Sequence, residues 1–183
     1  MANVTTLFTQ LADMALLQRS LLENVQKLMA ATADSKIRER LEGIMKSDRE
    51  NLDTLESMIA TNDSATAREI TQKYAEAINQ MMDSSDLTLY DKFFQLELCK
   101  HQQTMTGLVV HKAAQSLSDE LQNAVEPLNE INFENRAHQE ILKGVLYFVG
   151  TREIAGKEPD MGLWASIEQG VAALKGAVGS AVS

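Results

Sequence analysis

The sequence is short of several residue types, and each shortage excludes a class of protein. Cys99 is the single cysteine among 183 residues. Neither an intrachain disulfide framework nor a zinc site of several thiolates can therefore form. The chain has two prolines, and aromatic residues make up 5% of it, whereas nine methionines and many leucines are present. This composition is typical of packed helices rather than of a β-sandwich.

Positive charge and long apolar runs are also scarce. Seventeen Lys and Arg residues against 26 Asp and Glu residues leave a formal net charge of −9, with no basic cluster to offset it. Because nucleic-acid binding requires a basic face, this balance predicts that the protein binds no nucleic acid. No run approaches the roughly 18 apolar residues of a spanning helix. The N-terminus shows no export signal, so we expect a soluble, cytoplasmic chain that does not associate with a membrane.

Apolar residues recur at helical spacing along most of the sequence, and no segment alternates with the period of a strand. The pattern predicts four long helices, near residues 7–31, 36–60, 87–117 and 130–152. It also predicts one shorter helix, near residues 66–82. We therefore predict an all-α protein. Its expected architecture is an up-down four-helix bundle, hemerythrin-like or ferritin-like, with a short extra helix.

The C-terminal part of the chain has a different character. The bundle is expected to occupy residues 1–155, and residues 156–183 are expected to form a linker, "GKEPDMG", followed by an amphipathic helix. Small residues keep that helix slim, and it has few basic residues for binding a membrane surface. We expect it to pack on protein, either on its own bundle or on a second copy in a homodimer.

Two predicted helices carry the same polar motif, Glu-x-x-x-His, within an apolar stripe. The motifs are Glu97/His101 and Glu134/His138, and a third helix places Asp48 among leucines and isoleucines. A charged group in a bundle core costs several kcal/mol unless it is paired or ligated. A bound cation would satisfy all five groups, since imidazole and carboxylate ligands suit iron, manganese or zinc. The pattern favours a metal centre within the bundle.

The predicted inward row of the 87–117 helix is Tyr90, Phe94, Glu97, His101, Thr104, Leu108, His111 and Gln115. His111 lies near the edge of this row and is a weaker candidate ligand, and Cys99 is expected to face away from it. On the first helix, Gln18 and Asn24 are candidate hydrogen-bond partners of the ligands. The simpler alternatives are a hydrogen-bonded core histidine, a self-contained Glu–His pair, and an Asp48 that meets a Lys or Arg across the bundle.

Two segments, "KHQQTMTGLVVHKAAQ" and "NFENRAHQEILKGVLYFVGTREIAGKEPDMGLW", resemble cyanobacterial proteins of the hemerythrin HHE cation-binding family. The similarity extends over nearly the whole chain. It implies a four-helix bundle with two oxygen-bridged irons, acting in oxygen carriage, oxygen or redox sensing, iron handling or stress protection. The family's usual site has five histidines, whereas this chain has three, and its two motifs run from Glu to His instead of the reverse.

Three functions are compatible with these observations. The first is a hemerythrin-like, non-haem metal-binding protein, with iron as a di-iron site and O2 or peroxide as its ligand, acting in oxygen, redox or stress response. The second is a ferritin-like di-metal oxidase or peroxidase, which manganese would also suit. The third is a metal-free interaction module with a degenerate site. Whether the protein is an enzyme stays open at this point.

Overall fold

The computed structural model describes residues 2–60, 62, 65–160 and 162–179. Within these ranges the secondary structure is helical, without a strand. The helices are α1 (Ala2–Ala31), α2 (Ser35–Ile59), α3 (Glu69–Asp83), α4 (Leu89–Leu117), α5 (Asp119–Ala124), α6 (Leu128–Ala155) and α7 (Gly162–Gly179). The predicted all-α fold is confirmed, and α1, α2, α4 and α6 correspond to the four long helices expected from the periodicity.

Local sequence explains where several of these helices begin and end. The Asp34 carboxylate caps α2 by accepting from the backbone N–H groups of Lys36 and Ile37, at 2.9 and 3.2 Å. Thr88 and Asp91 form a reciprocal capping box at the start of α4. Helix α6 ends at Gly156, whose φ of 62° lies in the left-handed region that glycine adopts without strain.

The four long helices form a ring in which α1 packs against α2 and α4, and α4 packs against α6. Contact between α2 and α6 is much less extensive, so the ring is least tightly closed along that edge. Two apolar clusters fill the bundle, one built around Val25, Leu41 and Phe148, and the other around Leu11, Leu55 and Ile131.

A layer of buried polar side chains separates the two apolar clusters. Each long helix contributes to it midway between its two apolar segments. The members are Gln18, Asp48, Asn51, Lys100, Gln103, Thr104, Asn132, Asn135, His138 and Gln139. The layer contains buried hydrogen bonds, such as those from Lys100 to Asp48 and Asn135, whereas both side-chain polar atoms of Asn132 have no hydrogen-bond partner among the described residues.

The buried face of α4 differs from the predicted one. Phe93, Leu96 and Lys100 are fully buried, whereas Phe94 and Leu108 are 42% and 37% exposed. A shift of one residue rotates a helix face by about 100°. The predicted inward row is therefore wrong by roughly that angle, and Cys99, expected to face outward, is buried.

The C-terminal helix packs on its own bundle. Trp164 of α7 is buried against Phe148 of α6, with 5.0 Å between the ring centroids, and the guanidinium of Arg40 lies 4.2 Å from the Trp164 ring. Gly144 of α6 makes the approach possible, because a Cβ there would lie 2.0 Å from the Cδ1 atom of Ile167. Self-docking is thus the arrangement observed, and the homodimer stays a prediction. In the described part of the chain, no helix has the length and apolarity needed to cross a membrane.

Candidate active site between α2 and α6

The loosely closed edge of the bundle forms a groove with a volume of about 1420 Å³. Gly43 of α2 lines it and has no neighbouring atom within 4 Å of where a Cβ would stand, so the groove is open at that point. Ser47, one turn further along α2, also lines the groove, and His138 faces it from α6. The groove therefore gives access to the polar layer from outside.

Ser47, His138 and Asp48 form a connected set at the floor of this groove. The Ser47 Oγ atom lies 2.7 Å from His138 Nε2, and His138 Nδ1 lies 3.3 Å from Asp48 Oδ1. His138 is 5% exposed and Asp48 is fully buried, whereas Ser47 is half-buried. Ser47 and Asp48 are neighbours in sequence, but their side chains point towards the groove and the core, respectively.

Lys100 of α4 holds the Asp48 carboxylate from the core side. Its Nζ atom donates to Asp48 Oδ1 and, at 3.0 Å, to Asn135 Oδ1. Burial alone would raise the pKa of Asp48, but the charge of Lys100 and a hydrogen bond from His138 outweigh it and lower this pKa to about 2. Asp48 is therefore ionised at neutral pH and accepts hydrogen bonds only.

The ionised Asp48 favours one tautomer of His138. With its proton on Nδ1, the imidazole presents a donor to the carboxylate 3.3 Å away, and in that tautomer the Nε2 lone pair can accept from the Ser47 hydroxyl. This is the arrangement of a serine nucleophile, a histidine general base and an orienting carboxylate that recurs on unrelated hydrolase folds. The geometry is suited to deprotonating Ser47 as it attacks an electrophilic centre.

Glu134 adds a second carboxyl to the groove, one turn before His138. Burial raises its pKa, and the like charges of Glu130, Glu50 and Asp48 add to this, against a hydrogen bond from Asn51. The Oε2 atom of Glu134 is buried, and no hydrogen-bond partner within the described residues reaches it. Its carboxyl pKa therefore lies above that of an exposed glutamate, and burial is the main cause.

The other motif lies outside the groove. The Gln139 amide nitrogen donates to Glu97 Oε1 at 3.1 Å and lies 3.0 Å from His101 Nδ1. His101 is exposed, and His111 is not among the described residues that line the groove. The structure thus brings Asp48, Glu134 and His138 together and separates them from the other predicted ligands.

The two amides predicted to support the site have different positions. Gln18 Nε2 donates to the backbone carbonyl of Asp48 at 3.4 Å, directly behind the site. Asn24 instead donates to Asn79 Oδ1 of α3 at 2.9 Å, away from the groove. Only Gln18 therefore contacts a residue of the candidate active site.

Sequence reasoning missed two members of the site. The predicted inward row of α4 is rotated away from Lys100. The spacing of Lys100 from Leu96 and Gln103 is the signal that places it on the row that is buried. Ser47 carries no distinguishing local signal. A serine within a helix normally donates to a preceding carbonyl, and Ser47 Oγ does lie 3.4 Å from the carbonyl oxygens of Gly43 and Ile44.

Comparison with known proteins gives an independent finding. A protein named DNA nickase from Nostoc sp. (strain PCC 7120) is 41% identical over 175 residues, which cover 95% of this chain and 50% of the relative. The chain thus spans about half the length of this relative. No protein-family model matches the chain, and no solved structure matches it.

This relative corrects two predictions from the sequence. The predicted metal-binding function in oxygen, redox or stress response is wrong, because the relative is named for an activity on DNA. Within the described residues, no group of three or more His, Cys, Asp or Glu side chains is placed to hold a metal ion. The prediction that the protein binds no nucleic acid is also wrong, because the relative is named for an activity on DNA. The hemerythrin resemblance stays a prediction, as does iron as a cofactor.

Proposed function

We propose that this chain takes part in nicking DNA and that it contacts the phosphodiester backbone at the groove between α2 and α6. The observation that supports this most strongly is the 41% identity to a DNA nickase over 95% of the chain. An identity of this size across the whole bundle concerns the domain itself rather than a short shared motif. A role on DNA is also consistent with the cytoplasmic location expected from the sequence.

The charges of the groove are compatible with a limited phosphate contact. Arg40, Lys46 and Arg136 line it, and Lys46 and Arg136 are exposed. The net charge of −9 is a sum over the whole chain, whereas a DNA backbone interacts with the local face that it approaches. The groove also contains carboxylates of α2 and α6, which disfavour a broad basic contact.

The salt dependence of DNA binding tests this contact. Each neutralised phosphate contributes about −0.9 to the slope of log affinity against log salt. Arg40 is already ion-paired with Glu168, so the two exposed cations, Lys46 and Arg136, predict a slope of about −2 or shallower. Replacing Lys46 and Arg136 together by Ala should weaken binding and make the slope about two less steep. The matched control is Lys112→Ala, which removes a cation of α4 that is hydrogen-bonded to Gln115.

Nicking itself is measured on a supercoiled plasmid. The purified chain should convert supercoiled circles into open circles without a linear product, because a nick cuts one strand. The proposal is overturned if the chain neither binds duplex DNA at low salt nor produces open circles.

A further inference from the structure

We propose that Ser47 is the nucleophile of this groove and that it attacks phosphodiester phosphorus, with His138 as general base and Asp48 and Lys100 as positioning residues. The choice of substrate rests on the proposed function. The nucleophile itself rests on the contacts of Ser47 with His138 and of His138 with Asp48. Ser47 is the member of this set that combines a reactive hydroxyl with access to the groove.

The set is held rigidly from the core side. Lys100 is fully buried and donates to both Asp48 and Asn135, so the carboxylate cannot turn away from His138 without leaving an ammonium unpaired. Gln18 supports the backbone carbonyl of Asp48. A catalytic serine benefits from such support, because its base must keep one orientation and one tautomer.

The position of Ser47 within α2 favours a phosphodiester over a carboxylic ester. Acyl transfer usually needs free backbone N–H groups to stabilise an oxyanion, and the N–H groups in the middle of a helix are bonded to carbonyls four residues before them. A phosphodiester is already anionic, and cationic side chains can meet its charge. Lys46 and Arg136 are exposed cations that line the groove around Ser47.

The reaction balances without a further reagent except water. Ser47 Oγ forms a bond to phosphorus as the bond from phosphorus to one deoxyribose oxygen breaks. The proton of the hydroxyl passes to His138 Nε2 and then to the departing oxygen, which leaves one strand end as a hydroxyl. The other end stays on Ser47 as a phosphoserine ester until water attacks phosphorus, transfers a proton through His138 and releases Ser47.

A single serine of this kind cuts one strand for each phosphodiester attacked. The expected product is therefore a nick rather than a double-strand break, in agreement with the proposed function. Covalent attachment of one strand end to the protein is the signature that distinguishes this pathway from direct attack of water.

The test combines an active-site label with the plasmid assay on the full chain. A fluorophosphonate probe should modify wild-type protein at Ser47, located by peptide mass spectrometry, and Ser47→Ala or His138→Ala should abolish the label. Ser57→Ala is the matched control: Ser57 is an exposed serine of α2 whose hydroxyl donates to the Asp53 carbonyl at 2.8 Å. It should keep both label and nicking, whereas Ser47→Ala should lower the nicking rate by about 100-fold or more.

The outcomes separate this inference from the proposed function. If wild type and Ser47→Ala nick at the same rate, the assignment of Ser47 as the nucleophile is overturned, and the proposed function stands. If Ser47 is labelled but no wild-type nicking or DNA binding occurs, the proposed function is overturned, and the reactive serine stands without DNA as its substrate. If Ser47 is not labelled in folded wild-type protein, as judged by circular dichroism, the inference is wrong.

Discussion

The two Glu-x-x-x-His motifs have the same spacing but different surroundings. In the motif of α4, His101 is exposed and lies beside the Gln139 amide. In the motif of α6, His138 is 5% exposed and connects Ser47 to Asp48. The difference shows that a motif on a helix specifies a pair of side chains, whereas the rotation of the helix decides what the pair meets.

The rotation of α4 follows from close packing against α6. A Cβ at Gly107 would lie 2.0 Å from the Asn132 Oδ1 atom, so this glycine must face α6. Gly107 lies seven residues, almost two full turns, from Lys100 along the helix, and the face that holds both excludes His101. On α6, by contrast, Ile131, His138 and Val145 are all buried, as their spacing predicted.

The largest expected loss of stability comes from removing the ammonium group of Lys100, on the core side of the buried motif. Lys100→Ala should lower the free energy of unfolding by about 3–5 kcal/mol, because it leaves Asp48 charged and buried without its main partner. Chemical denaturation measures this loss. Lys143→Ala, which removes an exposed ion pair with Glu140, should cost less than about 1 kcal/mol. Equal losses for the two variants would show that Lys100 and Asp48 are not a buried pair.

The histidines themselves give a direct comparison of the two motifs. His138→Ala should lower the free energy of unfolding by about 1–3 kcal/mol, since it removes a buried contact of Asp48 and leaves a cavity. His101→Ala should stay within about 0.5 kcal/mol of wild type, because the side chain is exposed. Denaturation of both variants under one condition measures the difference. A larger loss for His101→Ala would mean that the rotation of α4 is not the one described.

The pH dependence of stability tests the charge of Asp48. Folding lowers its pKa from 3.8 to about 2, so the folded state favours the ionised form. The corresponding stabilisation is complete above about pH 4 and is lost as the pH falls from 3.8 towards 2. Denaturation curves across this interval should show the loss in wild type and a smaller one in Lys100→Ala. A carboxyl carbon titration that places Asp48 above pH 4 in the wild type would contradict this.

The smallest expected change in stability comes from substituting Glu134. Its folded pKa is raised from 4.5, so the neutral form is favoured on folding, and the associated stabilisation is lost as the pH rises through the folded pKa. Glu134→Gln should therefore match wild type near pH 4 and be slightly more stable at pH 7, by less than about 1 kcal/mol after solvent screening. Glu97→Gln is the control at the same motif position. A loss of stability in Glu134→Gln at pH 7 would show that folding does not favour the neutral form of Glu134.

Much of the fold could be predicted from local pattern, and part of the site could too. Asp48 lies on a stripe with Leu41, Ile44 and Leu55, and all four are buried as expected. One of the alternatives stated for Asp48, a Lys met across the bundle, is the arrangement observed. The identity of that Lys was not predictable, because Phe93 and Phe94 offer two adjacent apolar rows on α4, and only packing chooses between them.

The sequence by itself determined the helices, their caps and the burial of Asp48 and His138, because these depend on residues within a few turns of one another. Only the tertiary structure decided that Ser47, His138 and Lys100 share one site. Their contacts join positions 52 and 91 residues apart, and each depends on how a helix is rotated about its axis. A one-residue change in a helix row turns it by about 100°, which is enough to move a side chain from the core to solvent.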